Sequence, residues 1–302
     1  MKILVTGKNG QVGHELMRSL APLGQVVGVD VKECDLAQSG AIDALLERVR
    51  PDIIVNPAAY TEVDKAESEP TIAHAVNAQA PKLLARYAAR HNIPIIHFST
   101  DYVFDGKKES AYVEDDEANP KSVYGKTKWL GEEAVRKMAA KHIIIRTSWV
   151  FGSHGVNFLK TMLKLAQERD KLSVVSDQFG APTSARLLAD AVAQMVTELG
   201  EPGSYRKYGT YHVAARGETS WHGYAQVVVE KAIKHGMAIK INPKDIKPIS
   251  SKEYPMPAPR PSNSRFDTTK VSTVFSVSLH KWQDEVDKVI QELVKVKSNA
   301  ES

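Results

Sequence analysis

The chain has 302 residues, a length that can bury a sizeable hydrophobic core in one large domain or two closely joined domains. Its 40 basic and 36 acidic residues give a net charge of +4, and the basic residues form no stripe interleaved with aromatic rings, so we exclude a nucleic-acid-binding protein. The single cysteine excludes an internal disulfide and a cysteine-rich metal site, and no run approaches the ~18 apolar residues that cross a membrane.

The first predicted element is a strand at residues 2–6, whose apolar side chains indicate a buried strand rather than a signal peptide. We therefore expect a soluble, cytoplasmic protein. A glycine-rich turn follows, with Gly7, Gly10 and Gly13 in the spacing G-x-x-G-x-x-G, and a helical pattern starts near Gln11. Glycines let the backbone approach a ligand and the start of a helix attracts anions, so this turn predicts a pyrophosphate cradle. A plain strand-to-helix turn is the alternative.

A second apolar run, at residues 26–29, ends in Asp30. In dinucleotide-binding folds a carboxylate at this distance from the glycines accepts hydrogen bonds from the adenosine ribose. A capping or surface aspartate would look the same locally. Asp35 and Leu36 come next and could flank the adenine, although a turn that enters the helix near Ser39 explains them equally well.

Apolar runs and helical patterns alternate through the first half of the chain. The predicted strands are at residues 3–5, 26–29, 53–55, 95–98 and 143–145, and the predicted helices begin near Gln11, Ser39, Pro70 and Ser122. Apolar strands separated by helices indicate an α/β fold with a parallel sheet covered on both faces, and right-handed crossovers make it doubly wound, of the Rossmann type. Ligands of such sheets bind beyond the carboxyl ends of the strands, where Gly10, Asp30 and residues 56–61 and 99–101 all fall.

A pair of side chains suited to proton transfer follows the fourth strand. Tyr124 and Lys128 are four residues apart and share one face of a helix, and Thr100 lies at the end of the preceding strand. A nearby cation favours the ionised form of a tyrosine, whose ordinary pKa is roughly 10, and so brings it closer to the range of a general acid. Any surface helix can carry a tyrosine and a lysine at this spacing, so the pair is a weak signal by itself.

The alternation loosens after residue 150. Helices are predicted at residues 157–169, 184–199, 220–235 and 279–294, and strands at residues 172–175 and 211–214. A stiff, proline-rich stretch lies at residues 254–261. We therefore predict a cofactor-binding domain at residues 1–150 and a smaller, mixed α/β substrate domain at residues 151–302, some segments of which return to pack on the first.

Several segments resemble a known family. The glycine turn, the Ser-Thr-Asp-Tyr-Val-Phe sequence at residues 99–104 and the Tyr-x-x-x-Lys pair are similar to those of extended short-chain dehydrogenases/reductases. More narrowly, the segments at residues 63–67, 146–150, 157–158, 177–183 and 260–265 resemble the dTDP-4-dehydrorhamnose reductases. The resemblance covers nearly the whole chain. It implies reduction of the C4 keto group of dTDP-4-dehydro-L-rhamnose by NADPH or NADH.

The resemblance also implies roles for individual residues. Tyr124 would protonate the C4 oxygen, Lys128 would bind the nicotinamide ribose and lower the Tyr124 pKa, and Thr100 would hydrogen-bond the developing alkoxide. Asp101 and Trp149 match positions near the sugar, beside Thr100, and Asn157 and Arg260 are placed at the nucleotide end. Cofactor contacts are implied for Gly7, Gly10, Gln11, Val12, Gly13, Asp30, Asp35, Leu36, Ala59, Tyr60, Thr61, Tyr124 and Lys128. The alternatives for Trp149 and Arg260 are a core position and a plain surface charge, and Asp101 could merely cap a turn.

Two other functions are compatible with the same fold. Some family members are non-catalytic regulatory subunits, although the complete set of Thr100, Tyr124 and Lys128 argues against one here. Related nucleotide-sugar epimerases and dehydratases share the Tyr-Lys pair and usually keep NAD bound rather than consuming it.

Assembly is the point at which this sequence departs from part of the family. The resemblance implies that some family members are dimers joined by a Mg²⁺ ion, which a cluster of glutamates holds. Glu15 and Glu292 match two of these glutamate positions, but Arg186 occupies the third. A guanidinium cannot ligate Mg²⁺ and repels it, so we expect no metal site and a monomer or weak homodimer. Arg186 could form ion pairs with the two glutamates or point into solvent.

Overall fold

The structure, a computed structural model, describes residues 1–201 and 203–300, the last four of them by their backbone alone. The strands are β1 Lys2–Thr6, β2 Gln25–Val29, β3 Ile53–Asn56, β4 Ile95–Thr100, β5 His142–Thr147, β6 Val150–Phe151, β7 Leu172–Val175, β8 Phe179–Gly180, β9 Thr183–Ser184, β10 Gly209–His212, β11 Thr219–Ser220 and β12 Ile246–Ile249. The helices are α1 Gln11–Ser19, α2 Ser39–Val49, α3 Val63–Ser68, α4 Pro70–His74, α5 Ala80–Arg90, α6 Val123–Met138, α7 Phe158–Glu168, α8 Ala185–Leu199, α9 Trp221–Lys234, α10 Thr269–Phe275 and α11 Trp282–Ala300. A π-helical turn, Ala75–Gln79, joins α4 to α5.

Six strands form a central parallel sheet in the order β10-β5-β4-β3-β1-β2. The five strands predicted in the first half are all present, and the predicted Rossmann-type sheet is confirmed. The sixth strand, β10, comes from beyond residue 150 and covers Gly209–His212 rather than the predicted 211–214. It lies beside β5, so the sheet is completed by the second half of the chain.

Each face of the sheet carries its own hydrophobic cluster, because side chains alternate along a strand. In β1, Ile3 and Val5 join a cluster with α1, α8 and α9, whereas Leu4 joins the cluster formed with α2 and α5 on the other face. All three side chains are fully buried. Helices on both faces explain why the strands are continuously apolar in sequence.

Four helices start where a polar side chain caps the first turn. Ser122, Asn157, Ser184 and Ser220 each accept a hydrogen bond from a backbone amide of the helix that follows, α6, α7, α8 and α9 respectively. A capping side chain satisfies an amide that the helix itself leaves unpaired. These four residues are the predicted start positions, and each lies directly before the first helical residue.

The second half also contains short sheets. β12 pairs with β7 in parallel, β6 with β9 in parallel, and β11 with β8 antiparallel. β12 was not predicted, because Lys247 and Pro248 interrupt its apolar pattern, and a proline fits only a strand edge. The last helix starts at Trp282 rather than the predicted residue 279, since the backbone around His280 pairs with Arg216 instead. None of the helices among the described residues is both long enough and apolar enough to span a bilayer.

Candidate active site

One large cavity, of about 1570 Å³, opens at the carboxyl ends of β1 to β5 and continues between α7, β7 and residues 249–261. Ordinary ligand pockets have volumes of roughly 300–1,000 Å³, so this cavity has room for a dinucleotide together with a second ligand. Its lining includes these residues that the sequence predicts as site residues: Gly7, Gly10, Gln11, Val12, Gly13, Asp30, Leu36, Ala59, Thr61, Thr100, Asp101, Tyr124, Lys128, Trp149 and Arg260. Residues from both halves of the chain therefore meet in one site.

The glycine turn is a tight backbone loop at the start of α1. Gly7 adopts a left-handed conformation with φ of 63°, and its carbonyl oxygen accepts a hydrogen bond from the Gly10 amide at 3.0 Å. A Cβ atom on Gly13 would lie 1.9 Å from that same carbonyl oxygen, so a larger residue cannot fit there without moving the loop. The turn thus leaves the amino end of α1 open to the cavity, where its amides can bind an anion.

Asp30, at the end of β2, is held against the glycine turn. Its carboxylate accepts hydrogen bonds from the backbone amides of Asn9 at 2.9 Å and Val31 at 2.8 Å. The side chain of Lys8 pairs with Glu33 at 2.6 Å, and Glu33 also accepts a hydrogen bond from the Asp30 amide. Lys32, which the sequence places nearby, is exposed. This end of the cavity therefore carries the fixed carboxylate of Asp30, with Lys32 two residues away in sequence and Lys8 held by Glu33.

Thr100 and Asp101 are buried at the end of β4. The Thr100 hydroxyl donates to the Asp101 carboxylate at 3.0 Å and accepts a hydrogen bond from the Tyr102 amide at 3.2 Å. Ser264 donates to the other carboxylate oxygen of Asp101 at 2.5 Å. Burial raises the pKa of Asp101 to about 6, although these hydrogen bonds favour its ionised form. Asp101 thus links the end of β4 to the segment around Ser264.

Tyr124 and Lys128 lie one turn apart on α6 and both line the cavity. Lys128 is almost fully buried, its ammonium donates to the Phe98 carbonyl oxygen at 2.6 Å, and burial lowers its pKa to about 8. Burial also raises the pKa of Tyr124, and interaction with Thr100 opposes this only in part. This direction is opposite to the expected lowering by Lys128, because removal from water and the Asp101 carboxylate both raise the Tyr124 pKa.

A buried ion pair fixes α6 against the sheet. The Arg146 guanidinium on β5 donates to the Glu132 carboxylate at 2.8 Å, and both side chains are at most 2% exposed. Glu132 lies one turn beyond Lys128 on α6. A second Arg146 nitrogen donates to the Glu114 carbonyl oxygen at 3.1 Å. Arg146, in the segment at residues 146–150, therefore positions the helix that carries Tyr124 and Lys128, a role that the sequence did not reveal.

Trp149 forms an aromatic wall with a residue that the sequence did not single out. Its backbone is left-handed, with φ of 50°, and its ring stacks on Trp221 at a centroid distance of 3.7 Å. Phe158 packs on Trp221 at 4.7 Å. Gly180 leaves room for Trp149, since a Cβ there would lie 2.8 Å from the indole. A strained backbone at a ligand site is consistent with a functional position for Trp149.

Arg260 lines the cavity but is not a plain surface charge. Its guanidinium makes a two-point contact with the Asp64 carboxylate, at 2.8 and 2.6 Å, and it also donates to the Ala258 carbonyl oxygen at 2.9 Å. Asp64 lies in α3, in the first half of the chain, and Arg260 lies in the second half. The ion pair therefore joins the two halves of the chain at the cavity. Two-point arginine–carboxylate pairs are geometrically specific.

Three predicted site residues do not line the cavity, and their side chains form hydrogen bonds with other parts of the protein. Asp35 accepts a hydrogen bond from the Ala37 amide at 2.9 Å, which is the turn alternative raised above. The Tyr60 hydroxyl donates to Glu69 at 2.5 Å, an interaction that raises the Tyr60 pKa to about 12. Asn157 caps α7 and donates to the Gln11 side chain at 2.9 Å, and so it ties the α7 start to the glycine turn.

The residues at the expected assembly surface form ion pairs. Arg186 contacts Glu292 at 2.8 Å, one of the two glutamates considered as its partners, whereas the other, Glu15, pairs with Arg18 at 3.0 Å. Among the described residues, no group of three or more histidine, cysteine, aspartate or glutamate side chains is arranged to hold a metal ion.

Comparison with known proteins gives the family. The model of the RmlD substrate binding domain matches residues 1–295. The dTDP-4-dehydrorhamnose reductase of Escherichia coli strain K12 is 45% identical over 298 residues, which is 97% of this chain and 98% of that protein. The chain belongs to the dTDP-4-dehydrorhamnose reductase family.

Solved structures of family members have the same architecture. The dTDP-4-dehydrorhamnose reductase of Clostridium acetobutylicum superimposes with a TM-score of 0.88 at 36% identity, and the alignment covers 97% of this chain and 99% of that one. The reductase of Bacillus anthracis, solved in complex with NADP, gives a TM-score of 0.88 at 32% identity, with 96% and 99% covered. The family resemblance read from the sequence is therefore confirmed.

Proposed function

We propose that this protein uses NADPH or NADH to reduce the C4 keto group of dTDP-4-dehydro-L-rhamnose and so forms dTDP-L-rhamnose. The observation that carries the proposal is the meeting of Thr100, Tyr124 and Lys128 in one cavity with the glycine turn of α1. Family membership supports it, since curated relatives that match almost end to end are dTDP-4-dehydrorhamnose reductases.

The cavity fits a nicotinamide dinucleotide. The left-handed Gly7 and the crowded Gly13 shape a loop that a backbone phosphate contact requires, at the amino end of a helix. Asp30 is placed to accept hydrogen bonds from a ribose, and the Bacillus anthracis relative was solved with NADP. We propose that the cofactor is held by Gly7, Gly10, Gln11, Val12, Gly13, Asp30, Leu36, Ala59, Thr61, Tyr124 and Lys128, with Asp35 and Tyr60 supporting the loops that contact it.

The bound cofactor supplies the hydride that reduces the C4 carbon. Tyr124 donates a proton to the C4 oxygen, and its raised pKa keeps the phenol protonated before the reaction. Lys128 places a positive charge near the C4 oxygen. This charge stabilises the negative charge that develops on that oxygen and afterwards on Tyr124. Thr100 hydrogen-bonds the oxygen from the strand side, at the end of β4.

We propose that the second half of the chain recognises the substrate. Trp149, backed by Trp221, provides a flat apolar wall for the sugar, and Asp101 accepts hydrogen bonds from its hydroxyl groups. Arg260 lies at the nucleotide end, anchored by Asp64, and Asn157 acts there indirectly through Gln11. The proposed division is a cofactor domain at residues 1–150 and a substrate domain at residues 151–302, the end of which lies outside the described residues.

The proposal is tested by following the absorbance of reduced nicotinamide after addition of dTDP-4-dehydro-L-rhamnose. We expect one equivalent of NADPH or NADH to be oxidised for each equivalent of dTDP-L-rhamnose formed. Conversion of the sugar without net oxidation would indicate an epimerase or dehydratase, and absence of turnover would indicate a regulatory subunit. We also propose a cytoplasmic location and a monomer or weak homodimer without a bridging metal.

A further inference from the structure

Two hydroxyl groups lining the cavity have no hydrogen-bond partner within the described part of the chain. They belong to Ser99 on β4 and Thr147 on β5, whose residues are 5% and 6% exposed. Buried polar groups in folded proteins nearly always have a partner, and an unpaired one destabilises the fold. A partner that arrives with a ligand explains why hydroxyl groups are kept at these positions.

The position of Thr147 identifies the part of the ligand that it meets. Thr147 is the last residue of β5 and lies in register beside Thr100 on β4, so the two side chains point to the same face of the sheet. Ser99 precedes Thr100 and therefore points to the opposite face. The Thr100 hydroxyl is already engaged by Asp101 and Tyr102, so it does not satisfy Thr147.

The sheet order gives the distance from the pyrophosphate cradle. The glycine turn follows β1, and β3 and β4 separate β1 from β5. Neighbouring strands are ~4.8 Å apart, so the end of β5 lies roughly 14 Å along the sheet edge from the end of β1. A dinucleotide whose adenosine ribose contacts Asp30 beyond β2 runs in this direction, and its nicotinamide ring reaches the ends of β4 and β5.

We infer that the Thr147 hydroxyl hydrogen-bonds the carboxamide of the nicotinamide ring and thereby sets the ring beside Thr100 and Tyr124. This inference rests on the proposed function. The carboxamide is the polar substituent of that ring, and it offers both donors and an acceptor to a hydroxyl. The reacting C4 oxygen of the sugar is already assigned to Tyr124 and Thr100, which leaves Thr147 to the cofactor.

The test compares Thr147→Val, which keeps the shape and loses the hydroxyl, with Thr147→Ser, which keeps the hydroxyl. The control is Thr273→Val, because Thr273 is exposed on α10, away from the cavity. Binding of two probes is measured by calorimetry: NADPH, and 2′-phospho-ADP-ribose, which lacks only the nicotinamide. Thermal unfolding is measured without any ligand.

We expect Thr147→Val to weaken NADPH binding about 5- to 30-fold, as for one lost hydrogen bond, and to leave the binding of 2′-phospho-ADP-ribose within twofold of wild type. Its melting temperature without ligand should equal or exceed that of the wild type, since an unpaired buried hydroxyl has been removed. Thr147→Ser should restore NADPH binding to within about threefold of the wild type.

Three results would overturn the inference: unchanged NADPH binding by Thr147→Val, equal weakening of both probes, or a lower melting temperature without ligand. The last result would show that the hydroxyl has a structural partner. Failure of the proposed function is distinguishable, because the wild-type protein itself would then fail to bind NADPH or to oxidise it in the presence of the nucleotide sugar.

Discussion

The ammonium of Lys128 on α6 donates a hydrogen bond to the carbonyl oxygen of Phe98 on β4, over 2.6 Å. This contact joins the helix that carries Tyr124 to the strand that carries Thr100, so it fixes the relative positions of the three side chains for which we propose catalytic roles. It also places a cation where almost no solvent reaches it. A charge placed there for catalysis therefore reduces the stability of the fold.

The first prediction concerns Lys128→Met, which removes this charge but keeps a long side chain. We expect reductase activity to fall by at least ~10²-fold and the protein without ligand to become more stable at pH 7, by on the order of 2–3 kcal/mol, because burial lowers the pKa of Lys128 from 10.5 to about 8. The stability is measured by chemical denaturation. Lys126→Met, at an exposed position of the same helix, is the control.

The stability gained by Lys128→Met should decrease as the pH rises above 8. Below pH 8 Lys128 is charged in both the folded and unfolded states, so the wild type carries the full penalty. As the pH rises from 8 towards 10.5 the folded protein loses this proton first, and the advantage of Lys128→Met should disappear. An advantage that stays constant across this range, or a variant less stable at pH 7, would contradict the buried-charge explanation.

The second prediction concerns Tyr124→Phe, which removes the proton donor and keeps the ring. We expect cofactor affinity within about twofold of wild type and turnover lowered by ~10²–10⁴-fold. The comparison variant is Tyr102→Phe, which also loses a phenol oxygen. The Tyr102 ring packs edge-on against the Tyr124 ring, with 5.4 Å between the ring centroids. If Tyr124→Phe keeps more than a tenth of wild-type turnover while chemistry limits the rate, Tyr124 is not the acid.

The third prediction concerns the choice of cofactor. Asp30 repels a 2′-phosphate, and the exposed ammonium of Lys32, two residues further on, offsets this repulsion, so we expect both NADH and NADPH to be used. Asp30→Asn should raise the ratio of kcat/KM for NADPH over NADH by about tenfold, or ~1.4 kcal/mol. Lys32→Gln should change it in the opposite direction. A wild-type preference above about a thousandfold for either cofactor would refute this balance.

The fourth prediction concerns assembly. Arg186 pairs with Glu292 and occupies the position at which the Mg²⁺ site considered in the sequence analysis would need a third acidic ligand, so Mg²⁺ should not change the oligomeric state. Light scattering is measured with Mg²⁺ and again with excess chelator, and the two masses should agree. Arg186→Glu, which supplies the missing carboxylate, is the matched variant, and its mass in solution should depend on Mg²⁺. A wild-type dimer that dissociates only in chelator would disprove the prediction.

Local patterns in the sequence predicted the sheet, and they singled out Tyr124 and Lys128, which the structure places in one cavity with Thr100. Continuous apolar strands, the glycine spacing and the Tyr124–Lys128 pair each depend on neighbours within a few residues, and such signals can be read directly. The Asp64–Arg260 pair joins residues 196 positions apart, and the Trp149–Trp221 stack joins two distant segments. Neither contact could therefore be predicted from a local sequence pattern. The shift in the Tyr124 pKa also escaped prediction, because burial depends on the whole packed cavity.

β10 lies far beyond its partner strand β5 in the sequence, and this separation affects folding during synthesis on the ribosome. Ile143, Ile144 and Ile145 of β5 are fully buried in the finished protein, yet their strand partner β10 is translated roughly 60 residues after β5 ends. At ~5–20 residues per second, the nascent chain exposes an unpaired apolar edge for several seconds. An open edge of this kind can pair with another chain, so aggregation is favoured in the interval before residue 212 is synthesised.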